Sequence, residues 1–388
     1  VAGPDVFAPA RLGPVMLRNR IVKAATFEGA TPDALVSGRL IAFHRAVAEG
    51  GVGLSTVAYL AVSPEGRTHK EQIYLRPQAL PGLQRLTDAV HQAGAAIAAQ
   101  IGHAGPVANG RSNGSRAIAA SAMPSPLSLQ MIRAATVSDL ARIRQAYAGG
   151  ARLAMGAGFD VLEIHLGHGY LLSSFLSPNL NRRNDSYGGP LRARAAFPRD
   201  VVRAVREAVG GSVAVTAKVS MAEGTRKGFA INESIEFAGI LEADGQLDAL
   251  QLSAGSSLTN PMFLFRGDVP VREFADALPL PVRWGMRLFG GRFLRQYPFE
   301  EAFLLPMARR FRAELAMPLI LLGGINRRAT LDLAMAEGFE FVAMARALLR
   351  EPDLVNRMRT ESADGVCIHC NRCMPTIYSG TRCVELAR

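Results

Sequence analysis

Apolar and polar positions along the chain form a repeating couplet. A short run rich in apolar and β-branched residues precedes a longer stretch whose apolar positions recur at helical spacing. The first run is Arg20–Thr26, followed by a helical pattern over Arg39–Gly50. Next come Gly53–Tyr59 with Leu80–Ala93, Ala95–His103 with Val137–Gly156, and Val161–Gly167 with Arg192–Val209. Val213–Ser220 pairs with Asn232–Ala243, Ala249–Gly255 with Phe299–Leu315, and Pro318–Gly324 with Arg328–Glu337. Phe341–Leu349 and a short last helix complete the series. The strand runs are continuously apolar, the pattern of strands covered on both faces. Eight such units predict an α/β fold, a (β/α)8 TIM barrel. A doubly wound sheet is the competing topology. It usually carries a glycine-rich dinucleotide turn after its first strand, where this chain reads ATFEGA.

In a barrel, chemistry collects at the C-terminal ends of the strands. Those ends carry Ala24–Glu28, Ala58–Tyr59, Gln100–His103, His165–Tyr170, Lys218–Ser220, Gly255, Gly323–Asn326 and Ala345–Arg346. His165, His168 and Tyr170 stand close together where the fourth strand enters its loop. Two imidazoles can donate to one developing oxyanion, and a phenol can protonate a basic carbon. The bland alternative is a strand end with satisfied polar caps. Gly323 and Gly324, with Arg346 nearby, read as a phosphate cradle between the last two loops.

Composition narrows the class. Of 388 residues, 49% are hydrophobic and 20% charged, which excludes a disordered chain. The formal charge is +11, but the cations are dispersed and almost all arginine, with only four lysines. No like-charge tail of the nucleic-acid-binding kind is present, so no nucleic-acid partner is expected. No apolar run is long enough for a membrane span. The start, VAGPDVFAPARLG, lacks the basic-then-apolar order of a signal peptide, and a cytoplasmic location is the expectation. The four cysteines, Cys367, Cys370, Cys373 and Cys383, all lie near the C-terminus, which excludes a secreted disulfide scaffold. Their C-x2-C-x2-C-x9-C spacing can surround one metal centre, and soft sulfur ligands suit Zn2+ or an iron–sulfur cluster. The division expected is a barrel over residues 1–360 and a cysteine segment over 361–388. The stretch Phe265–Phe303 is long for a βα loop and holds Trp284, the one tryptophan. It reads as a helical cover, a substrate lid, or a surface for a membrane or partner.

The residues also carry a family likeness. From FAPARLGPVMLRNRIVKAAT through AAQIGHAG, EIHLGHGYLLSSFLSPNLNRRNDSYGG and LLGGI to MARALLREPDL, the chain resembles the old yellow enzyme family of FMN-dependent ene-reductases. The resemblance implies that His165 and His168 bind the acceptor's carbonyl oxygen and that Tyr170 protonates its α-carbon. It implies FMN contacts from Ala25, Thr26, Tyr59, Gln100 and Lys218, and an FMN phosphate site at Gly323, Gly324, Ala345 and Arg346. Lys218 stands where many relatives have Arg, and Phe27 where Cys or Thr is common. The tail is similar to the cluster motif of the 2,4-dienoyl-CoA reductase and trimethylamine dehydrogenase branch, although its last spacing is a residue or two shorter. That implies a [4Fe–4S] cluster on Cys367, Cys370, Cys373 and Cys383, with zinc as the alternative. The implied activity is reduction of an α,β-unsaturated carbonyl compound, with NAD(P)H as electron donor. An amine dehydrogenase or demethylase that passes electrons out through the cluster is the alternative. A non-catalytic flavin- or metal-binding subunit is a third reading. An electron-transfer protein and a homo-oligomer are the partner expectations.

Overall fold

The computed structural model describes residues 3–125, 128–278 and 280–387. Eight strands form its centre: β1 Ile21–Phe27, β2 Leu54–Ala61, β3 Ala96–Gly102, β4 Val161–Leu166, β5 Ala214–Ser220, β6 Ala249–Ser253, β7 Leu319–Leu322 and β8 Phe341–Met344. They close into one all-parallel barrel in chain order, with β8 returning to β1. The eight-unit barrel expected from the couplets is therefore present. Helices return the chain between strands: α1 Gly38–Glu49, α2 Leu80–Gln92, α3 Val137–Gly156, α4 Ala196–Val209, α5 Ile231–Asp244, α6 Leu305–Glu314 and α7 Arg328–Ala336. A further helix, α8 Leu354–Thr360, follows the last strand.

The strands are buried along nearly their whole length because each face meets apolar side chains. Inside the barrel, Val22, Ala24, Leu54, Ala98, Val161, Ala214, Ala249, Ile320, Phe341 and Ala343 form one cluster. An N-terminal hairpin, Ala10–Leu12 with Val15–Leu17, adds Ala10, Leu12 and Leu17 to that cluster and closes the lower end. Outside, the strands meet the helices in a larger core. In α4, for example, Phe197, Val201, Val202, Val205 and Val209 recur at helical spacing and are all buried. The start of α3 is fixed by a capping box in which Thr136 and Asp139 bond each other's backbone.

Departures from the sequence reading have local causes. The loop between β3 and α3 contains a small three-stranded sheet, Ile118–Ala119, Met123–Pro124 and Met131–Ala134. The helix expected over Phe299–Leu315 begins only at Leu305, where Pro306 suits the first turn. Phe299–Leu304 instead folds over the turn after β7. The run Phe341–Leu349 splits at Ala345 into β8 and a short helix, Arg346–Arg350. The long insertion holds helices Val271–Asp276 and Leu280–Phe293, the second exposing Trp284, Leu288 and Phe289. Among the described residues no helix is long and apolar enough to cross a membrane.

After α8 the chain runs back over the C-terminal rim of the barrel. Gly365 N–H donates to Asn326 O at 2.7 Å, and Thr381 N–H donates to Glu28 O at 2.7 Å. Gly29, at φ +60°, lies so close to Ile377 O that a Cβ would stand 1.9 Å from it. The segment beyond residue 360 is thus held against the ends of β1 and β7.

Candidate active site

Polar residues interrupt the apolar strands at two-residue spacing, so they face the barrel interior together. Gln100, Glu163 and Lys218 form one buried group near the upper end. Gln100 Nε2 donates to Glu163 Oε1 at 2.6 Å, and Lys218 Nζ stands 3.0 Å from the same oxygen. Lys23, also buried, pairs with Glu28 at 2.6 Å, and Thr26 Oγ1 donates to that carboxylate at 2.8 Å. Each buried lysine therefore has one carboxylate, the arrangement that offsets loss of hydration. Gln251 lies in register with Lys218 on β6, and both atoms of its amide are buried without a partner. A buried amide is rarely left so, and this one faces into the upper barrel.

Above this group, His165, His168 and Tyr170 converge. The Tyr170 ring stacks on His165 with centroids 4.4 Å apart and planes 23° from parallel. His168 meets His165 edge-on at 5.0 Å, and Tyr59 meets Tyr170 edge-on at 5.3 Å. The loop achieves this by turning sharply: His168 and Gly169 adopt φ of +60° and +77°. The His168 N–H donates to Ser220 Oγ at 3.0 Å, which fixes the turn. His165 Nδ1 accepts the Gly167 N–H at 3.2 Å, so a neutral His165 carries its proton on Nε2. His168 Nε2 lies 2.7 Å from Ser253 Oγ. Burial, then His168 and Lys218, hold His165 well below the usual imidazole range. Burial and then Lys218 bring His168 down to about 3. Both rings are neutral at physiological pH and can donate hydrogen bonds without carrying charge.

The mouth walls follow from strand irregularities. β1 and β2 shift register between Lys23 and Thr26 and between Val57 and Leu60. Such bulges re-aim backbone at barrel rims. They bring Ala25, Thr26 and Tyr59 to the mouth. The Tyr59 hydroxyl donates to Gly66 O at 2.9 Å and its carbonyl accepts from Gln72 Nε2 at 2.7 Å, so Tyr59 offers the mouth its ring. After β7, Gly323 and Gly324 take φ of +125° and +70°. A Cβ on Gly324 would stand 2.6 Å from Phe303 Cδ1. Only glycine fits that turn.

Ala345 ends β8 beside this turn, but the Arg346 side chain points elsewhere. Its guanidinium donates to Arg266 O at 3.1 Å, bonds Asn371 Oδ1, and lines a cleft with the cysteines. Burial lowers the Arg346 pKa, while the facing Cys367, Cys373 and Cys370 raise it. Cys367, Cys370, Cys373 and Cys383 are all free and half-buried, and all four line that one cleft. Burial pushes the Cys367 thiol up and the Cys373 thiol up to about 11. The donor chemistry suits a soft metal, but the arrangement stops short of a metal centre. Among the described residues no three His, Cys, Asp or Glu side chains converge to hold an ion. His369 is occupied elsewhere, stacked on Phe299 at 3.5 Å with Nε2 at 2.9 Å from Asn326 Nδ2.

Flavin mononucleotide fits the barrel mouth. The orphaned amide of Gln251 and the cation of Lys218 lie where a polar ring edge would satisfy them, while Leu304, Phe303 and Phe299 pack against the glycine turn. Sequence reasoning missed Glu163, Gln251 and Ser253. Their signal was the two-residue spacing of polar positions, Glu163 with His165 and Gln251 with Ser253, inside otherwise apolar strands.

Comparisons with known proteins agree with this chemistry. The model of the NADH:flavin oxidoreductase / NADH oxidase family matches residues 5–258. The chain is 58% identical to 4,4'-dithiodibutanoate disulfide reductase of Rhodococcus erythropolis, over 98% of this chain and 95% of that protein. It is 32% identical to a metal reductase of Desulforamulus reducens, over 96% of this chain but only 52% of that longer protein. In fold it is similar to a 2-naphthoyl-CoA reductase, with a TM-score of 0.84 at 23% identity, covering 98% of this chain and 56% of the other. The chain belongs to the NADH:flavin oxidoreductase / NADH oxidase family, the FMN-dependent oxidoreductases of the old yellow enzyme type.

Proposed function

We propose that the chain is an ene-reductase that reduces an α,β-unsaturated carbonyl compound, with NAD(P)H as electron donor. The observation that carries this reading is the convergence of two neutral imidazoles and a phenol above the Gln100–Glu163–Lys218 group. FMN bound in the mouth would supply hydride to the β-carbon of the acceptor. His165, through Nε2–H, and His168 would hold the carbonyl oxygen and stabilise the enolate that develops. Tyr170 would protonate the α-carbon, a task suited to a weak acid beside a strong carbon base. Ala25, Thr26, Tyr59, Gln100 and Lys218 would line the cofactor ring. Gly323, Gly324 and Ala345 would receive its phosphate, with Arg346 turning from the cysteine cleft to join them. Replacing Tyr170 by Phe tests the assignment. Alkene reduction should slow by about 10²-fold or more while reduction of the flavin by NAD(P)H persists. Equal loss in both half-reactions would remove Tyr170 from the role.

Reduction of an organic disulfide is the second reading, favoured by the full-length relative named for 4,4'-dithiodibutanoate. The same mouth would then hold the acceptor while the S–S bond takes up two electrons and two protons and both sulfurs leave as thiols. Comparing enone and disulfide as oxidants of the reduced holoenzyme separates the two. We also propose that Cys367, Cys370, Cys373 and Cys383 hold a metal centre, [4Fe–4S] foremost and zinc second, as in the cysteine-bearing branch. Their shared cleft supports this. Iron, sulfide and zinc analysis of anaerobically purified protein tests it. Flavin bleaching by methylamines rather than NAD(P)H would favour the amine-oxidising alternative.

A further inference from the structure

The loop after β6 carries a cation that the proposed reaction does not use. It leaves the barrel at Ser256, which bridges to His168, and reaches Arg266 ten residues later. The Arg266 guanidinium lies among three aromatic rings: 5.0 Å from the centroid of Phe303, 5.5 Å from Phe263 and 5.8 Å from Tyr297. Its Nε is buried without a partner, and among the described residues no ion pair involves it. Other arginines of this barrel are treated otherwise: Arg194, Arg199 and Arg206, for example, each meet a carboxylate.

The surroundings hold this cation in place. Arg266 sits at φ +31°, a conformation L-residues rarely adopt. Its carbonyl accepts from Arg346 Nη1 at 3.1 Å and Asn371 Nδ2 at 3.0 Å, which fixes the backbone from the cysteine side. The rings are anchored too. Tyr297 Oη accepts from Asn260 Nδ2 at 2.9 Å, Phe263 covers Gly224 after β5, and Phe303 covers Gly324 after β7. The cage therefore bridges the loops after β5, β6 and β7 on the face that carries the candidate site. A half-buried, unpaired guanidinium with apolar walls suits an anionic oxygen pair on an apolar body.

We propose that Arg266 is an anion subsite that binds a carboxylate on the acceptor, so that preferred substrates are organic acids rather than neutral compounds. The acid's role as a substrate rests on the reductase reading; its binding at Arg266 does not. The phosphate of the cofactor offers the same chemistry, and the test separates the two sources.

Oxidised holoenzyme is titrated with cyclohexanecarboxylate and with its methyl ester, reading the shift in flavin absorbance, for wild type, Arg266→Met and Arg266→Lys. The acid should bind wild type more tightly than the ester. Arg266→Met should lose on the order of 10-fold or more in affinity for the acid with the ester unchanged. Arg266→Lys should recover part of the loss, and FMN content and near-ultraviolet circular dichroism should match wild type. Equal effects on acid and ester, no effect on either, or no spectral response in wild type would overturn the proposal. So would loss of FMN from Arg266→Met with normal acid affinity after reloading, which would assign Arg266 to the phosphate. If acid binding depends on Arg266 but no enone is reduced, the alkene reading fails and the anion subsite stands.

Discussion

At the residue scale, the candidate site depends on two histidines kept neutral. Their folded-state pKa values lie below that of an exposed imidazole, which titrates near 6.5. Between about 3 and 6.5 the unfolded chain therefore binds more protons than the folded one, and stability falls as pH drops through that window. His168→Asn keeps a hydrogen-bond donor but removes the titrating group. Its melting temperature should decline less steeply than wild type between pH 6.5 and 4, as measured by calorimetry. An unchanged slope would mean that His168 is protonated in the folded protein. His165, His168 and Tyr170 were legible in the sequence because three chemically apt residues crowd one strand end. Gln251 was not, because a single glutamine in an apolar run says nothing of a partner until the barrel closes around it. Arg346 was legible as a cation beside the last strand. The direction of its side chain depends on Asn371, a contact made across a loop and invisible in sequence spacing.

At the element scale, the turn after β7 is the most constrained piece of the mouth. Gly324 combines a positive φ with ring contacts from Phe303 and Phe299 where a Cβ would sit. Gly324→Ala should cost about 1–3 kcal/mol of stability and weaken FMN retention. Thermal unfolding and flavin release on gel filtration check both effects. Intact stability and full FMN content would show that the turn tolerates a side chain. Strand and helix positions were mostly legible, since runs covered on both faces are continuously apolar and helices keep their periodic stripe. The exception was Phe299–Leu304. Phe299 and Phe303 fit a helical stripe, but they are spent on covering Gly324, with Leu304 on Gly323. The Phe265–Phe303 insertion was legible as helical, but the bounds of Val271–Asp276 and Leu280–Phe293 were not, because prolines and glycines break its pattern.

At the scale of the whole molecule, the cysteine segment and the barrel mouth are physically joined. Thr381 bonds the backbone of both Phe27 and Glu28 at the end of β1, and Asn326 Nδ2 after β7 donates to Cys367 O at 2.9 Å. Thr381→Val should therefore lower stability by about 1 kcal/mol and shift the visible spectrum of the bound flavin, since it loosens the strand that walls the mouth. A spectrum and melting temperature both equal to wild type would show that the tail rests on the barrel without influencing it. The +11 charge belongs to the same scale. It reflects dispersed arginines, many of them paired across the surface with carboxylates, such as Arg309 with Glu337 and Arg328 with Asp332. Arg266 meets three aromatic rings instead.

The central claim is transfer of reducing equivalents from bound flavin to an activated alkene at the His165, His168 and Tyr170 site. The most direct measurement is anaerobic stopped-flow mixing of reduced holoenzyme with an α,β-unsaturated carboxylic acid derivative bearing a conjugated ketone, followed by product analysis. The expected result is flavin reoxidation with one saturated ketone formed per flavin, slowed about 10²-fold or more in Tyr170→Phe. Flavin that stays reduced with the enone yet is reoxidised by 4,4'-dithiodibutanoate would contradict it.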